Sequence, residues 1–168
     1  MPERTPAIDP DIAGAKGIAF RRARVEDANT IAGHRVSMFR DMGHHDESAL
    51  RLMASRFVPW VEAKLESGDY LGWLAVDDDD HVVAGAGLWL MDWPAHMLSF
   101  SPRRGNIINV YTEPAFRRRG LARWLIEAAL HSCKHDGIDY VILHASEQGR
   151  QLYERLGFAA GNEMRIKL

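Results

Sequence analysis

The chain has 168 residues, of which 46% are hydrophobic and 26% charged, a composition typical of a soluble globular protein and unlike that of disordered or fibrous proteins. This length predicts one domain with a single core. A formal net charge of -2 gives no overall attraction to nucleic acid or to anionic membranes, so we expect neither as a partner. Any anion-binding site must therefore be local.

The N-terminal residues, the longest apolar run and the one cysteine indicate the domain organisation and the location of the protein. Residues 1 to 16 lack the basic start and apolar stretch of a secretory signal, and we expect a flexible leader there, followed by one domain over residues 17 to 168. The longest apolar run, Val82 to Met91, is about half the ~20 residues that a membrane-spanning helix needs. Cys133 has no partner for an internal disulfide, which favours a reducing, cytoplasmic location.

The first half of the chain predicts a strand, two helices and a hairpin. Residues 18 to 20 read as a strand, and apolar residues at helical spacing then continue to about Gly43, with Arg35 intruding on the apolar face. A second helical pattern over residues 50 to 65 contains Pro59, which predicts a kink or two abutting helices.

Two runs rich in β-branched and aromatic residues follow these helices. Tyr70 to Val76 and Val82 to Trp93 predict a hairpin, and the four aspartates between them predict a solvated turn. Four consecutive carboxylates do not converge easily on one ion, so we expect a plain turn there and no metal site.

The second half alternates strands with helices. A central strand is predicted at Asn106 to Thr112 and a long amphipathic helix from Leu121 to near Gly137. A buried strand at Tyr140 to Leu143, a short helix at Glu147 to Leu156, and one or two closing strands from Phe158 onward complete the prediction.

The segment between the central strand and the long helix contains the residues best suited to anion binding. Its spacing is Arg-x-x-Gly-x-Ala, in the sequence Arg117-Arg118-Arg119-Gly120-Leu121-Ala122. Small residues let the backbone approach a bulky ligand, and the free amides at a helix N-terminus carry partial positive charge. With Arg123 nearby, the segment predicts a cradle for a diphosphate. The alternative is a solvated, arginine-rich helix start.

Two motifs in this half of the chain resemble those of a known family. The sequence Val110-Tyr111-Thr112-x-Pro114-x-x-Arg117-Arg118-Arg119-Gly120-Leu121-Ala122 is similar to the acetyl-CoA-binding motif of the GCN5-related N-acetyltransferases (GNAT). A second segment, His144-Ala145-Ser146 followed by residues 152 to 158, resembles the later motif of that family. The resemblance implies an α/β (α+β) fold with a mixed sheet of about six to seven strands flanked by about four helices.

The same resemblance assigns roles to residues. It implies that the central strand and the following strand splay apart, so that Val110, Tyr111 and Thr112 offer backbone groups to the pantetheine and acetyl carbonyl of acetyl-CoA. Residues 117 to 122 would hold the pyrophosphate, with Arg123 assisting. Ser146 stands where many members of the family have asparagine. Tyr153 matches the residue that commonly protonates the leaving thiolate.

The general base stays open between Glu113, His144 and a relay of water. Some members of the family use a carboxylate on the central strand, where this chain has Asn106 and Asn109, and an amide does not accept a proton usefully at neutral pH. Histidines 131 and 135 flank Cys133 at helical spacing, but we expect a solvated helix face and a half-buried thiol there rather than a metal site.

The resemblance predicts an acyltransferase that moves acetyl from acetyl-CoA, its cosubstrate, directly to a primary amine of a small molecule or protein. The alternative is a non-catalytic module of the same fold that binds or senses acyl-CoA, which the missing strand carboxylate and Ser146 favour modestly. A homodimer is possible, since dimers are common in the family. The sequence leaves the acceptor open among a protein N-terminus, a polyamine, an amino acid and a drug amine.

Overall fold

A computed structural model describes residues 16–168 of the chain. The predicted leader, apart from Lys16, lies outside the described residues. The helices and strands run in the order β1 (Ile18–Arg22), α1 (Ala28–Asp41), α2 (Glu47–Ser67), β2 (Tyr70–Asp77), β3 (Val82–Asp92), β4 (Arg103–Thr112), α3 (Leu121–His135), β5 (Val141–Leu143) and α4 (Arg150–Arg155). Short 3-10 turns at Val25–Asp27 and Pro114–Phe116 precede α1 and α3.

The strands form one mixed sheet in the order β1-β2-β3-β4-β5. The first four are antiparallel neighbours, and β5 joins β4 in parallel after the α3 crossover. On one face of the sheet, the core contains the buried side of α3, from Leu121 to Cys133. A second core cluster, which includes Ile31, Val61 and Tyr70, joins α1 and α2 to the sheet. The predicted α/β (α+β) class and the four helices are confirmed.

The predicted number of strands is too high, because the described residues contain five strands and none after Leu143. Phe158 packs partly buried against the α3-side core, but the following residues extend without a partner strand. Met164, Ile166 and Leu168 alternate as strand residues do, yet their side chains are exposed. The alternation alone does not produce the closing strands that we predict, because these apolar side chains pack against no buried face.

The α2 helix is a single helix from Glu47 to Ser67, so the prediction of two abutting helices at Pro59 is wrong. Asp46 caps it by accepting hydrogen bonds from the backbone N–H groups of Ser48 and Ala49, and Gly68 ends it in a left-handed conformation. Pro59 is exposed, so water can hydrogen-bond the carbonyl group that the missing proline N–H leaves free.

The four aspartates that link β2 to β3 form a turn, as the sequence predicts. Asp77 Oδ1 accepts hydrogen bonds from the N–H groups of Asp79 (3.0 Å) and His81 (2.9 Å). Ligand-type atoms of these three residues lie within 4.8 Å of one another. Within residues 16–168, no helix is long and apolar enough to cross a membrane.

Cys133 is more deeply buried than predicted. Its side chain lies under the sheet with 1% of the residue exposed, rather than half-buried on a helix face. It lies beside Gly105 of β4, where an added Cβ would meet the sulfur at 3.1 Å. Burial raises the pKa of the Cys133 thiol to about 11, and Asp136 acts in the same direction. The thiol therefore stays protonated, which agrees with a structural role.

Candidate active site

The strands β4 and β5 separate part of the way along β4. They pair at three positions only, from Gly105 opposite Val141 to Ile107 opposite Leu143. Beyond Ile107, β4 continues to Thr112 and remains paired with β3 on its other edge, whereas β5 ends. The backbone of residues 108 to 112 therefore has one edge without a neighbouring strand. This opening, hereafter the β4–β5 split, is where an extended ligand could hydrogen-bond to backbone groups.

A β-bulge lies in β4 directly after the last β4–β5 pair. Gly87 of β3 is opposite Ile108 and Gly85 is opposite Tyr111, so Ala86 alone faces two residues of β4. One of the two is Asn109, whose φ of 56° is left-handed. The bulge turns both Ile108 and Asn109 towards α1 and α2, while Val110 packs on the α3 side. Because two consecutive side chains face the same side, the backbone N–H and C=O groups beside the β4–β5 split point in different directions from those of a regular strand.

The segment before α3 exposes a row of backbone N–H groups. Arg118 and Gly120 are both left-handed, with φ of 64° and 80°. The N–H groups of residues 118 to 120 make no hydrogen bond within the described chain, and those of 121 to 123 precede the first intrahelical acceptor. No atom lies within 4 Å of where a Gly120 Cβ would stand. The predicted cradle therefore has free donors and open space.

The four arginines around this cradle differ in what they contact. Arg117 donates from Nε to the Thr112 carbonyl oxygen at 2.9 Å and pairs with Asp41 of α1. Arg123 pairs with Glu127 at 2.9 Å along the exposed side of α3. Arg118 and Arg119 form no ion pair with any described residue, although Arg119 lies 5.0 Å from the centre of the Phe116 ring. These two are the arginines whose charge is not already matched.

The other residues predicted to contact the cofactor differ in their burial and in their neighbours. Val110 is partly buried beside the α3-side core, and Tyr111 lies between His34 and Arg117. Leu121 is buried, so that only its backbone can reach a ligand. The Thr112 hydroxyl is sealed from solvent without a partner.

Ser146 and Tyr153 are brought together by Gly149 in the turn before α4. Ser146 Oγ accepts a hydrogen bond from the Gly149 N–H at 3.1 Å. An added Cβ at Gly149 would lie 2.7 Å from the Tyr153 ring and 3.2 Å from Ser146 Oγ. Tyr153 is 9% exposed, and its hydroxyl makes no hydrogen bond within residues 16–168. Burial raises the pKa of Tyr153, which keeps the phenol protonated.

The two side chains predicted as general bases lie in different places. Glu113 is exposed and lines an open groove of about 520 Å³ beside Thr30, His81 and Phe116, away from β5. His144 immediately follows the last residue of β5, and its Nε2 lies 3.1 Å from Glu163 Oε1. The two are therefore separate candidates rather than parts of one acid–base pair.

Three residues beside the β4–β5 split form a network that the sequence does not predict. Arg35 Nη1 donates to Asn109 Oδ1 at 2.7 Å, and Asn109 Nδ2 donates to the Tyr70 hydroxyl at 3.2 Å. The hydroxyl lies where Gly87 has no side chain, since an added Cβ would be 1.9 Å away. Burial raises the pKa of Tyr70 to about 12, so the network contains one charge, that of Arg35. The only sign of this network in the sequence is Arg35 itself, a charged residue on an otherwise apolar helix face.

The comparison with protein families agrees with this geometry. The sequence model of the acetyltransferase (GNAT) family matches residues 35–158, which run from the middle of α1 to Phe158 and contain the whole β4–β5 split. This chain is a member of the GNAT family. The predicted family is thus confirmed, and the fold is the GNAT fold with five described strands.

Solved acetyltransferase structures superpose closely on the chain. A GCN5-related N-acetyltransferase from Ralstonia eutropha JMP134 is 33% identical with a TM-score of 0.85, over 90% of this chain and 99% of that one. A predicted acetyltransferase from Clostridium acetobutylicum, solved with acetyl-CoA, is 24% identical with a TM-score of 0.81, over 90% and 95% of the two chains. No curated protein sequence matches the chain significantly.

A more distant acetyltransferase structure shares the fold alone. A ribosomal-protein-alanine N-acetyltransferase from Brucella melitensis biovar Abortus 2308 is 19% identical with a TM-score of 0.64, over 90% of this chain and 98% of that one. Members of the GNAT family transfer acetyl from acetyl-CoA. The free edge of β4 and the unpaired N–H groups before α3 suit such a cosubstrate, because they offer donors to an amide-containing arm and to a diphosphate.

Proposed function

We propose that this protein is an N-acetyltransferase that transfers acetyl from acetyl-CoA directly to a primary amine. The observation that supports the proposal best is the β4–β5 split, which opens at Ile107 and leads along β4 into the cradle before α3. One continuous ligand with a peptide-like arm and a diphosphate matches that sequence of backbone donors and acceptors.

The cradle and the free strand edge bind different parts of the cosubstrate. Backbone N–H groups of residues 118 to 123, with Arg118 and Arg119, bind the diphosphate. The backbone of Val110 to Thr112 binds the arm and orients the thioester beside the bulge at Asn109. Ser146, which caps the turn before α4, borders the same site next to Tyr153.

Bound acetyl-CoA supplies an activated acyl carbon. The free amine attacks that carbon, a C–N bond forms, and the carbonyl becomes an oxyanion that backbone N–H donors of β4 stabilise. The C–S bond then breaks, and Tyr153 gives its proton to the departing thiolate. Burial in the core holds the Tyr153 hydroxyl protonated until that moment. No covalent enzyme intermediate is required.

We assign the base to His144 rather than to Glu113. His144 directly follows β5, the strand that borders the β4–β5 split. An imidazole there can accept the amine proton, and Glu163 at 3.1 Å can stabilise the imidazolium that forms. Glu113 lies in the groove beside His81 instead.

Thiol release from acetyl-CoA across a panel of amines tests the proposal. The panel contains polyamines, aminoglycosides, free amino acids and peptides with free N-termini, and we expect thiol release to depend on both amine and protein. Acetyl-CoA should also raise the melting temperature in a concentration-dependent way, since it binds the folded state only. A rise in melting temperature without thiol release from any amine would support the non-catalytic alternative.

A further inference from the structure

Arg35 is a partly buried cation with no anion beside it. It lies in α1, facing α2 and β4, and forms no ion pair within residues 16–168. The one hydrogen bond that its side chain makes in that part of the chain is the bond from Nη1 to Asn109, an uncharged side chain. Charged groups that lose contact with water are normally paired, because desolvation of an unpaired charge is costly.

The surroundings of Arg35 reinforce the need for an anion. The guanidinium carbon lies 5.1 Å from the Phe39 ring centre and 4.9 Å from that of Phe57, so two aromatic side chains shield it from water. Tyr70, at the other end of the network, is neutral because burial raises its pKa to about 12. No described residue therefore acts as its counter-ion.

The free donors of Arg35 lie on one edge of the guanidinium. Nη1 is occupied by Asn109, while Nε is sealed from solvent without an acceptor and Nη2 makes no hydrogen bond in the described chain. The Nε and Nη2 donors form the edge that binds the two oxygens of a carboxylate in parallel.

The location of this cation relates it to the acceptor. Arg35 contacts the bulge residue of β4, and the next residue, Val110, borders the place where the proposed function puts the thioester. It approaches the β4–β5 split from the α1–α2 face of the sheet. A group held by Arg35 would thus lie close to the reacting nitrogen.

We propose that Arg35 binds a carboxylate of the acceptor, and that the acceptor is a compact amine with a carboxylate a few bonds from its nitrogen, as in a free amino acid. This inference rests on the proposed acetyltransferase function and narrows its substrate class. Polyamines and aminoglycosides, which are polycationic, are disfavoured by the uncompensated positive charge of Arg35. The Phe39 and Phe57 rings flank the site and favour an apolar side chain.

The test compares free amino acids with their carboxamides, which keep the amine and side chain and lose the negative charge. We expect the wild-type protein to acetylate at least one amino acid with a kcat/KM about 100-fold above that of its amide, as loss of a charge-assisted pair predicts. Arg35→Met should remove this preference mainly through KM. Its acetyl-CoA affinity should stay within about twofold of wild type, because the cradle before α3 is separate.

Arg104→Met is the matched control. Arg104 also has a sealed Nε and no ion pair within the described chain, but it lies 3.3 Å over the Trp93 ring at the far end of β4. Arg104→Met should retain the preference for the carboxylate. Equal kcat/KM for amino acids and amides in the wild type, or turnover of polyamines or peptides alone, would overturn this inference and leave the acetyltransferase function standing. Acetyl-CoA binding without turnover of any amine would overturn both.

Discussion

Tyr153 is a single side chain whose hydroxyl has a proposed chemical task and no structural one. Its ring packs edge-on against Phe158 at 6.1 Å between centres, while its hydroxyl makes no hydrogen bond in the described chain. Tyr153→Phe keeps the ring and removes the proton. Turnover should fall by roughly 10²- to 10⁴-fold, the usual contribution of a positioned acid. Single-turnover kinetics with a good acceptor provide the measurement, since slow product release could hide the effect.

Two further measurements separate the acid role of Tyr153 from its packing. The Tyr153→Phe protein should melt within a few degrees of wild type and bind acetyl-CoA with similar affinity. Tyr140→Phe is the matched control, because Tyr140 lies against Arg104 before β5 and outside the β4–β5 split, and it should leave turnover unchanged. A near-normal single-turnover rate in Tyr153→Phe would exclude Tyr153 as the acid.

The residues of the site differ in how far the sequence predicts them. Gly120 and Tyr153 are predictable because motif spacing determines their places relative to α3 and α4. Arg35 stands out in sequence as a charge on an apolar face. Its partner Asn109 is not predictable, because the contact depends on the β-bulge, and a bulge depends on the register between two strands.

Among the structural elements, the N-terminus of α3 gives a prediction about charge. Gly120 is left-handed with φ of 80°, so any side chain there adds strain of about 1 kcal/mol. Gly120→Glu and Gly120→Gln share that strain and nearly the same size, and differ in charge alone. We expect the glutamate to weaken acetyl-CoA binding at least tenfold more than the glutamine, because it repels the diphosphate.

Calorimetric titration of acetyl-CoA into both Gly120 variants decides this point. Their melting temperatures without ligand should agree, which verifies that the comparison isolates charge. Equal affinities for acetyl-CoA in the glutamate and glutamine proteins would place the diphosphate away from this turn. The salt dependence of binding should be steeper for wild type than for the glutamate variant.

The sequence predicts an element best where its pattern of apolar residues repeats over many residues. The α3 helix and the β2–β3 hairpin appear almost as predicted, because buried faces repeat over many residues. The closing strands failed because alternation in Met164 to Leu168 does not specify a partner. Two abutting helices do not form at Pro59, because the packing of Phe57 and Val61 on either side of it keeps α2 continuous.

For the whole molecule, Asp69 joins three elements and predicts a response to acid. Its carboxylate accepts hydrogen bonds from Lys64 of α2 and Arg103 of β4 at the start of β2. The Lys64 and Arg103 donors lower the pKa of Asp69 to about 2. A lowered pKa in the folded state stabilises the protein above the unfolded pKa of about 3.9, and this stabilisation is lost as pH falls towards 2.

Thermal unfolding of Asp69→Asn at several pH values measures that contribution. The variant should melt below wild type at pH 5 to 7, and the difference should shrink steadily from about pH 4 to pH 2. Asp92→Asn is the control, because Asp92 is fully exposed and reaches the same Arg103 only at 3.6 Å, so it should change melting little at any pH. A constant difference for Asp69→Asn at all pH values would exclude this account.

The buried cysteine also makes the intact molecule inert to thiol-directed chemistry. Cys133 is the one cysteine of the chain, and its sulfur is held protonated between α3 and the sheet. A thiol reagent can therefore label the protein only during moments when α3 lifts from β4. The labelling rate therefore measures how often such openings occur. If acetyl-CoA binds at the N-terminus of α3, as proposed, it should stabilise the closed state and lower the labelling rate.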